Sequence, residues 1–208
     1  MPADSRALIT APAPRHPLQK YRVCLVCLGN ICRSPMAEVV LRSELDGAGL
    51  AGLAEVDSAG TGDWHIGSPM DSRARAELAV RGYDGSAHRA RQFGPSWFGR
   101  YDLVAAMDLA NFEDLRAMAP DADARGRIRL FRLFDPALAG WPDGGSQADP
   151  EVPDPYNGTA ADYALAFDLV RPAARGLAAR LAELLLAGPA DPGTPAGPGT
   201  PAGPAGAG

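Results

Sequence analysis

Cys27 and Arg33 are separated by five residues, and the segment between them contains Gly29, which lets the backbone curl. A cysteine thiolate is a strong nucleophile, and an arginine guanidinium can bind two oxygens of a phosphate-like group at once. Ser34 follows the arginine directly, and its hydroxyl can donate a hydrogen bond to the sulfur. These residue types at this spacing predict an oxyanion-binding loop that begins with a nucleophile.

The elements on either side of this loop favour the same chemistry. Tyr21–Cys27 is a short apolar run that predicts a buried strand, and residues 35–45 have helical spacing with Pro35 in the first turn. The free amide groups and the dipole at the start of that helix face the loop between the two elements. We expect this positive environment to favour the thiolate form of Cys27.

Strand and helix patterns alternate along the rest of the chain. Strands are predicted over residues 56–58, 101–107 and 128–134, and helices over 71–81, over 108–118 with Asp108 as N-cap, and over 161–187 with a kink near Pro172. Residues 135–159 form a loop, and the alternation over 127–130 is typical of a half-solvated edge strand. The sequence therefore predicts an α/β fold of three layers, a single domain with a doubly wound, four-stranded parallel sheet and helices on both faces. Ligands bind such sheets at the carboxyl ends of the strands.

The two ends of the chain differ from this core in composition. Of the last 21 residues, 13 are Gly or Pro, and four prolines occur among the first 20 residues. Such segments bury too little apolar surface to offset the entropy of ordering them. We therefore expect a flexible N-terminal arm over 1–20, a folded domain over 21–187 and a disordered Gly/Pro/Ala-rich tail over 188–208.

Charge and cysteine usage exclude several classes of protein. The net charge is −5 and the isoelectric point about 5.2, which argues against nucleic acid as a partner. Lys20 is the single lysine, so the Gly-Lys-Ser/Thr motif of P-loop NTPases is absent. No apolar run is long enough for a bilayer span or a signal peptide, so we expect no membrane association. Three cysteines are too few for a disulfide scaffold and indicate a reducing compartment, which predicts a cytoplasmic location.

Several motifs together resemble the low-molecular-weight protein tyrosine phosphatase family, of the bacterial type. They occur in the family's order and span nearly the whole core: residues 26–38 (Val-Cys-Leu-Gly-Asn-Ile-Cys-Arg-Ser-Pro-Met-Ala-Glu), 57–61 (Asp-Ser-Ala-Gly-Thr), 63–65 (Asp-Trp-His), 88–92 (His-Arg-Ala-Arg-Gln), 107–108 (Met-Asp) and 154–156 (Asp-Pro-Tyr). The resemblance implies a phosphatase domain over 21–187 that hydrolyses phosphotyrosine in proteins through a phosphocysteine intermediate. It implies no metal and no cofactor, and we expect a monomer.

The resemblance also implies roles for particular residues. Cys27 would be the nucleophile, Arg33 would bind the phosphate and Asp154 would act as general acid and then as general base. Asp154 is also the best candidate from the residues alone, since it lies on a proline-stiffened loop after the last strand. The remaining expected site residues are the phosphate-binding loop (Leu28, Gly29, Asn30, Ile31, Cys32, Ser34), its supports (Ser58, His88) and the substrate pocket (Trp64, Tyr156, Asn157).

Two further positions refine this interpretation. Cys32 lies close enough in sequence to form a reversible disulfide with Cys27 under oxidation, which protects the nucleophile in the family. Asn157 stands where the family usually has a second aromatic residue, so one pocket wall is thinner and the peptide preference is open.

Single residues argue against several alternative functions of the same loop. A thioredoxin-coupled arsenate reductase needs further cysteines downstream, and none follows Cys32. A protein-arginine phosphatase typically has Thr where this chain has Ile31, whose apolar side chain favours an aromatic ring. A catalytically silent phosphate-binding scaffold is disfavoured because Cys27, Arg33 and Asp154 are all present.

Two other motifs carry no function of their own. A redox or zinc role for Cys24 is disfavoured because this residue lies within the strand. The dinucleotide-binding fingerprint that begins at Gly60 fails because His65 occupies the place of its third glycine.

Overall fold

The computed structural model describes residues 10–141 and 149–186. Its strands are β1 (Tyr21–Cys27), β2 (Ala54–Gly60), β3 (Leu103–Ala106) and β4 (Ile128–Leu130). Its helices are α1 (Arg33–Gly47), α2 (Ser72–Val80), α3 (Leu109–Met118), α4 (Ala122–Gly126) and α5 (Ala160–Leu186), and short 3-10 turns cover Pro95–Arg100, Phe131–Phe134 and Pro136–Leu138.

The four strands form one parallel sheet in the order β2-β1-β3-β4. Alternate side chains of β1 enter two separate apolar clusters, since Val23 and Leu25 pack with α1, α2 and α5, whereas Cys24 and Val26 pack with α3 and α4. The sheet is therefore covered by helices on both faces, and the predicted three-layer α/β architecture is confirmed.

The predicted strand over 128–134 is wrong in its second half. Strand β4 ends at Leu130, and the following residues Phe131–Phe134 form a 3-10 helix, of which Phe131 and Phe134 pack in the same apolar cluster as α5. The expectation of a half-solvated edge is wrong as well, because Arg129 is only 8% exposed. Its Nε atom donates to the carbonyl of Thr10 at 3.2 Å, so the chain before β1 covers this edge of the sheet.

The second half of the expected N-terminal arm is attached to the domain. The Arg15 amide donates to Asp102 at 2.6 Å, and the Tyr21 hydroxyl donates to the carbonyl of Pro12 at 2.9 Å. Arg127 donates to the carbonyl of Ala13 at 3.0 Å. Residues 10–15 therefore differ from the expected loose arm, because polar groups of the domain bind this part of the backbone. Residues 1–9 and the expected tail over 188–208 lie outside the described residues.

Helix α5 begins at Ala160 and continues through Pro172 to Leu186 as one element. In the described ranges, no helix combines the length and apolar character that crossing a membrane would require. Of the expected loop over 135–159, residues 142–148 lie outside the described part of the chain, and the rest leads from β4 back to the carboxyl edge of the sheet. There the Val152 amide donates to the carbonyl of Met107 at 2.8 Å, which brings residues 152–154 next to the end of β3.

Candidate active site

The loop between β1 and α1 folds around the sulfur of Cys27. The Asn30 amide donates to Cys27 Sγ at 3.3 Å, and the Ser34 hydroxyl lies 3.0 Å from the same sulfur. Cys27 ends the buried strand β1, and Arg33 begins α1, so both elements fix the ends of the loop. A backbone amide and a hydroxyl therefore contact the sulfur on the side where the helix starts, as an oxyanion-binding loop requires.

Asn30 adopts the left-handed backbone conformation, with a φ angle of 55°. Its Nδ2 group donates to Ser34 Oγ at 3.0 Å and to Ser58 Oγ at 2.8 Å. His88 Nε2 lies 2.7 Å from the Asn30 carbonyl oxygen, and because a carbonyl only accepts, this nitrogen carries the hydrogen. The structure thus places both expected loop supports, Ser58 and His88, on Asn30.

Glu38 extends this network, and the sequence analysis did not assign it a role. The Ser58 hydroxyl donates to its carboxylate, Arg42 pairs with it at 2.6 Å, and His88 Nδ1 lies 4.0 Å away. Burial lowers the pKa of His88, and it outweighs the Asn30 hydrogen bond and the Glu38 charge, which raise that pKa. Glu38 lies in the second turn of α1, and its contact with Ser58 links the loop to β2, an edge strand of the sheet.

Arg33 is 2% exposed and is held between two carboxylates. Its guanidinium donates to Asp108 at 2.5 Å and to Asp154 at 2.7 Å, and also to the carbonyl of Val152 at 3.2 Å. Burial lowers the arginine pKa, but the negative charges of Cys27, Asp154 and Asp108 outweigh it, so the pKa is raised. Arg33 Nε is buried without a protein partner among the described residues, and an oxyanion would satisfy that donor.

Asp154 lies at the mouth of the site, with its side chain 40% exposed. One carboxylate oxygen accepts from Arg33, and the other accepts from the Tyr156 amide at 3.1 Å. The turn after Asp154 therefore fixes the direction of the carboxylate. The acid predicted from the loop after the last strand is in direct contact with the arginine of the first loop.

A cleft of about 230 Å³ opens above the loop. Its lining combines residues of the loop (Cys27, Leu28, Gly29, Ile31, Cys32, Arg33) with residues of two other segments (Trp64, His65, Asp154, Tyr156, Asn157). All three expected pocket residues border this cleft, although Trp64 is 69% exposed and covers only its rim.

His65 is a lining residue that the sequence analysis missed. Its ring centroid lies 6.2 Å from that of Tyr156, and its Cδ2 atom lies 3.0 Å from the position of a Cβ atom added at Gly29. Gly29 therefore leaves room for the imidazole, while the left-handed turn of the loop falls on Asn30. The family motif over 63–65, which includes it, was the available signal.

Asp108 is the second missed residue, and its sequence signal pointed elsewhere. It was predicted as the N-cap of the following helix, and one carboxylate oxygen does accept from the Asn111 amide at 2.6 Å. Its other oxygen binds Arg33. The family motif that includes it was the available signal for this second contact.

Cys32 is a free, buried thiol within the loop, next to Arg33. Its sulfur lies 3.7 Å from the hydroxyl of Tyr163. Burial raises its pKa to about 12, so it is protonated at neutral pH. Its role as a redox guard stays a prediction.

A thiol at the carboxyl edge of a parallel sheet, in contact with a backbone amide and a hydroxyl of a loop that ends at a buried arginine, defines a protein class that handles oxyanions such as phosphate. The model of the family described as low molecular weight phosphotyrosine protein phosphatase matches residues 22–185. The chain belongs to this family.

Relatives of known sequence and structure agree. A low molecular weight protein-tyrosine-phosphatase of Streptomyces coelicolor is 48% identical over 163 residues, which make up 78% of this chain and 94% of that protein. Protein-tyrosine phosphatase A of Mycobacterium tuberculosis is 40% identical over 155 residues, 74% of this chain and 88% of that protein. A crystal structure of a protein tyrosine phosphatase from Entamoeba histolytica superposes with a TM-score of 0.72 at 32% identity, over 79% of this chain and 98% of that one.

Proposed function

We propose that this protein hydrolyses phosphotyrosine in proteins, with Cys27 as nucleophile, Arg33 as phosphate ligand and Asp154 as general acid and base. The observation that carries the proposal is the arrangement around Cys27 Sγ: the Asn30 amide and the Ser34 hydroxyl contact the sulfur, and Arg33 enters from the same loop. This is the geometry that holds a phosphate group next to a thiolate.

In the first step the Cys27 thiolate attacks phosphorus, and the bond from phosphorus to the phenolic oxygen breaks. Arg33 and the loop amides stabilise the negative charge on the equatorial oxygens. The leaving oxygen receives a proton from the Asp154 carboxyl, since an unprotonated phenoxide leaves poorly. Arg33 already contacts the Asp154 carboxylate, so the phosphate ligand and the proton donor lie side by side.

In the second step water attacks the phosphocysteine, and Asp154 takes up the proton that the water loses. The sulfur–phosphorus bond breaks and returns the thiolate, which the Ser34 hydroxyl stabilises through its hydrogen bond. Inorganic phosphate leaves, and the thiolate is ready for the next substrate. One carboxylate serves both steps because it ends the first step deprotonated.

The aromatic substrate enters the cleft between His65, Trp64 and Tyr156. A phenyl ring between such side chains gains apolar burial and ring stacking, which a flat tyrosyl group exploits better than an alkyl phosphate. Ile31 adds an apolar contact at the floor, and Asn157 leaves one side of the mouth more open.

The test is hydrolysis of para-nitrophenyl phosphate and a phosphotyrosine peptide in the presence of a chelator. We expect Cys27→Ser to reduce turnover of both substrates to background. Asp154→Ala should lower kcat/KM for the phosphotyrosine peptide about 10²–10⁴-fold, the usual contribution of a general acid, and should affect para-nitrophenyl phosphate much less because its leaving group needs little protonation. Matched controls are Cys24→Ala, within β1, and Asp114→Ala, on the exposed face of α3, which should retain activity.

Two outcomes would contradict this proposal. Wild-type turnover in a folded Cys27→Ser variant would exclude the cysteine as nucleophile. A wild type that binds phosphotyrosine peptides but releases no phosphate would indicate a scaffold, and faster hydrolysis of phosphoarginine would move the assignment to arginine phosphatases.

A further inference from the structure

Arg73 lies at the start of α2, outside the cleft, and the proposed reaction does not use it. It is nonetheless held rigidly, because three of its nitrogens donate to the carboxylate of the N-cap residue Asp71, at 2.8 Å (backbone N), 3.1 Å (Nε) and 3.0 Å (Nη2). A guanidinium bound by its fork loses the freedom that surface arginines normally keep.

The base of this arrangement is attached to the phosphate-binding loop. The backbone amide of Asp71 donates to the carbonyl of Ile31 at 2.9 Å. Arg73 is therefore connected, through Asp71, to the same loop that surrounds Cys27.

The free face of Arg73 contacts the segment that carries Asp154. Its Cζ atom lies 5.7 Å from the ring centroid of Tyr156 and 4.9 Å from that of Tyr163 in α5, both within cation–π range. Its Nη1 atom also donates to the carbonyl of Gly158 at 3.4 Å. One cation thus contacts both the aromatic wall of the cleft and the backbone two residues later.

Tyr156 in turn sets the direction of the acid, because its amide donates to Asp154 Oδ1. The contacts form one path: phosphate-binding loop, Asp71, Arg73, Tyr156 and Asp154. We propose that Arg73 is a positioning residue that holds the Asp154–Gly158 segment over the phosphate-binding loop and so sets the geometry of proton transfer. This inference rests on the proposed role of Asp154.

The experiment compares kcat/KM for two aryl phosphates that differ in their need for a proton. Phenol is a poor leaving group and requires the acid, whereas para-nitrophenolate leaves readily without it. Because kcat/KM covers the steps up to phenol release, it reports this requirement even if a later step limits kcat. We expect Arg73→Gln to lower kcat/KM about tenfold for phenyl phosphate and at most about twofold for para-nitrophenyl phosphate, as a misplaced acid would.

The matched control is Arg75→Gln. Arg75 is exposed on the same helix and, in the part of the chain that the structure describes, makes no hydrogen bond to residues 154–159. The Arg75→Gln substitution should leave kcat/KM unchanged for both esters. Arg73→Lys keeps the cation but loses the fork, so its effect on phenyl phosphate should lie between those of the wild type and Arg73→Gln.

The experiment distinguishes a failure of this inference from a failure of the proposed function. If Arg73→Gln equals Arg75→Gln, or lowers both esters by the same factor, Arg73 does not position the acid and the inference is overturned. If wild-type enzyme hydrolyses neither ester, the proposed function itself fails, and this inference fails with it.

Discussion

Asn30 is the residue on which the geometry of the loop depends most. A left-handed backbone costs a side chain free energy, and asparagine tolerates it better than most residues. Its amide group, its side-chain oxygen and its carbonyl all have partners, the last of these being His88. The strained turn is therefore held by hydrogen bonds that any other side chain would leave incomplete.

His88 links this turn to the pH dependence of stability. Burial lowers its pKa below the ordinary value of 6.5, while Glu38, Arg89 and Arg91 are the charged groups that act on it. At His88 the unfolded chain then binds more protons than the folded one below about pH 6.5, so the contribution of His88 to the free energy of unfolding falls as the pH drops through that window and is constant above it.

We expect replacement of this histidine to remove that slope. In urea unfolding between pH 5 and 8, His88→Gln should be less stable than wild type at pH 8 because it lacks the imidazole contact, and the difference should shrink as the pH falls below about 6.5. His16→Gln, at an exposed histidine before β1, is the control. Identical pH slopes for wild type and His88→Gln would contradict the prediction.

For single residues, the sequence predicted best the contacts that lie within one motif. Cys27, Arg33 and Ser34 are neighbours in one loop, so their spacing alone predicted their proximity. His65, Glu38 and Arg73 act through partners that lie far away in the chain, such as Tyr156 for His65 and Gly158 for Arg73. Nothing local distinguishes Arg73 from the other 18 arginines, and its contact with Gly158 becomes visible only in the folded chain.

Among the elements that the structure describes, α5 is the longest, and its one glycine, Gly176, marks where it meets the turn after β4. A Cβ atom added at Gly176 would lie 1.8 Å from the carbonyl oxygen of Phe134, an impossible contact with backbone. The helix can approach the Phe131–Phe134 turn this closely only because residue 176 has no side chain.

Gly176→Ala should therefore destabilise the protein although alanine is the better helix former. We expect a loss of about 1–3 kcal/mol, the usual cost of overpacking, set against a helix-propensity gain of about 1 kcal/mol. Gly126→Ala, at the end of α4 with open space around it, should be neutral or slightly stabilising. Thermal unfolding of both variants measures the contrast, and equal midpoints would refute it.

Element types were predictable where periodicity was clear, and boundaries were not. Strand β1 was predicted with its observed bounds because the sequence between the N-terminal arm and the phosphate-binding loop contains a single apolar run. The apolar run over 128–134 fits a strand and a short helix equally well, and packing against α5 decides for a turn after Leu130.

At the scale of the whole molecule, residues 10–15 are bound to the domain, and Arg15 is held at the end of the sheet opposite the cleft. Asp102 is 6% exposed, and its two carboxylate oxygens accept from the amides of Arg15 and Arg22. The carboxylate of Asp102 therefore connects three parts of the chain: the segment before β1, the start of β1, and the residue before β3. Composition alone predicted a loose arm because the partners of its backbone lie on distant strands.

Asp102→Ala should separate stability from activity. Leaving its two amide partners without an acceptor costs about 1–3 kcal/mol, and denaturant unfolding should show that loss. Strand β1 has seven residues, so it separates this carboxylate from Cys27 by roughly 20 Å at about 3.3 Å per residue, and kcat/KM for para-nitrophenyl phosphate should be unchanged. Asp114→Ala is the control for both measurements, and a fall in kcat/KM with unchanged stability would contradict the assignment.

The ion pair between Arg33 and Asp154 gives the cleft a counter-ion of its own. An incoming oxyanion can bind the Nε atom of Arg33, which has no partner among the described residues, while the two terminal nitrogens stay hydrogen-bonded to Asp108 and Asp154. The two aspartates therefore hold the guanidinium in one orientation before a substrate arrives. Because this orientation already exists, binding of the phosphate costs little side-chain entropy, and the resting pair preorganises the site.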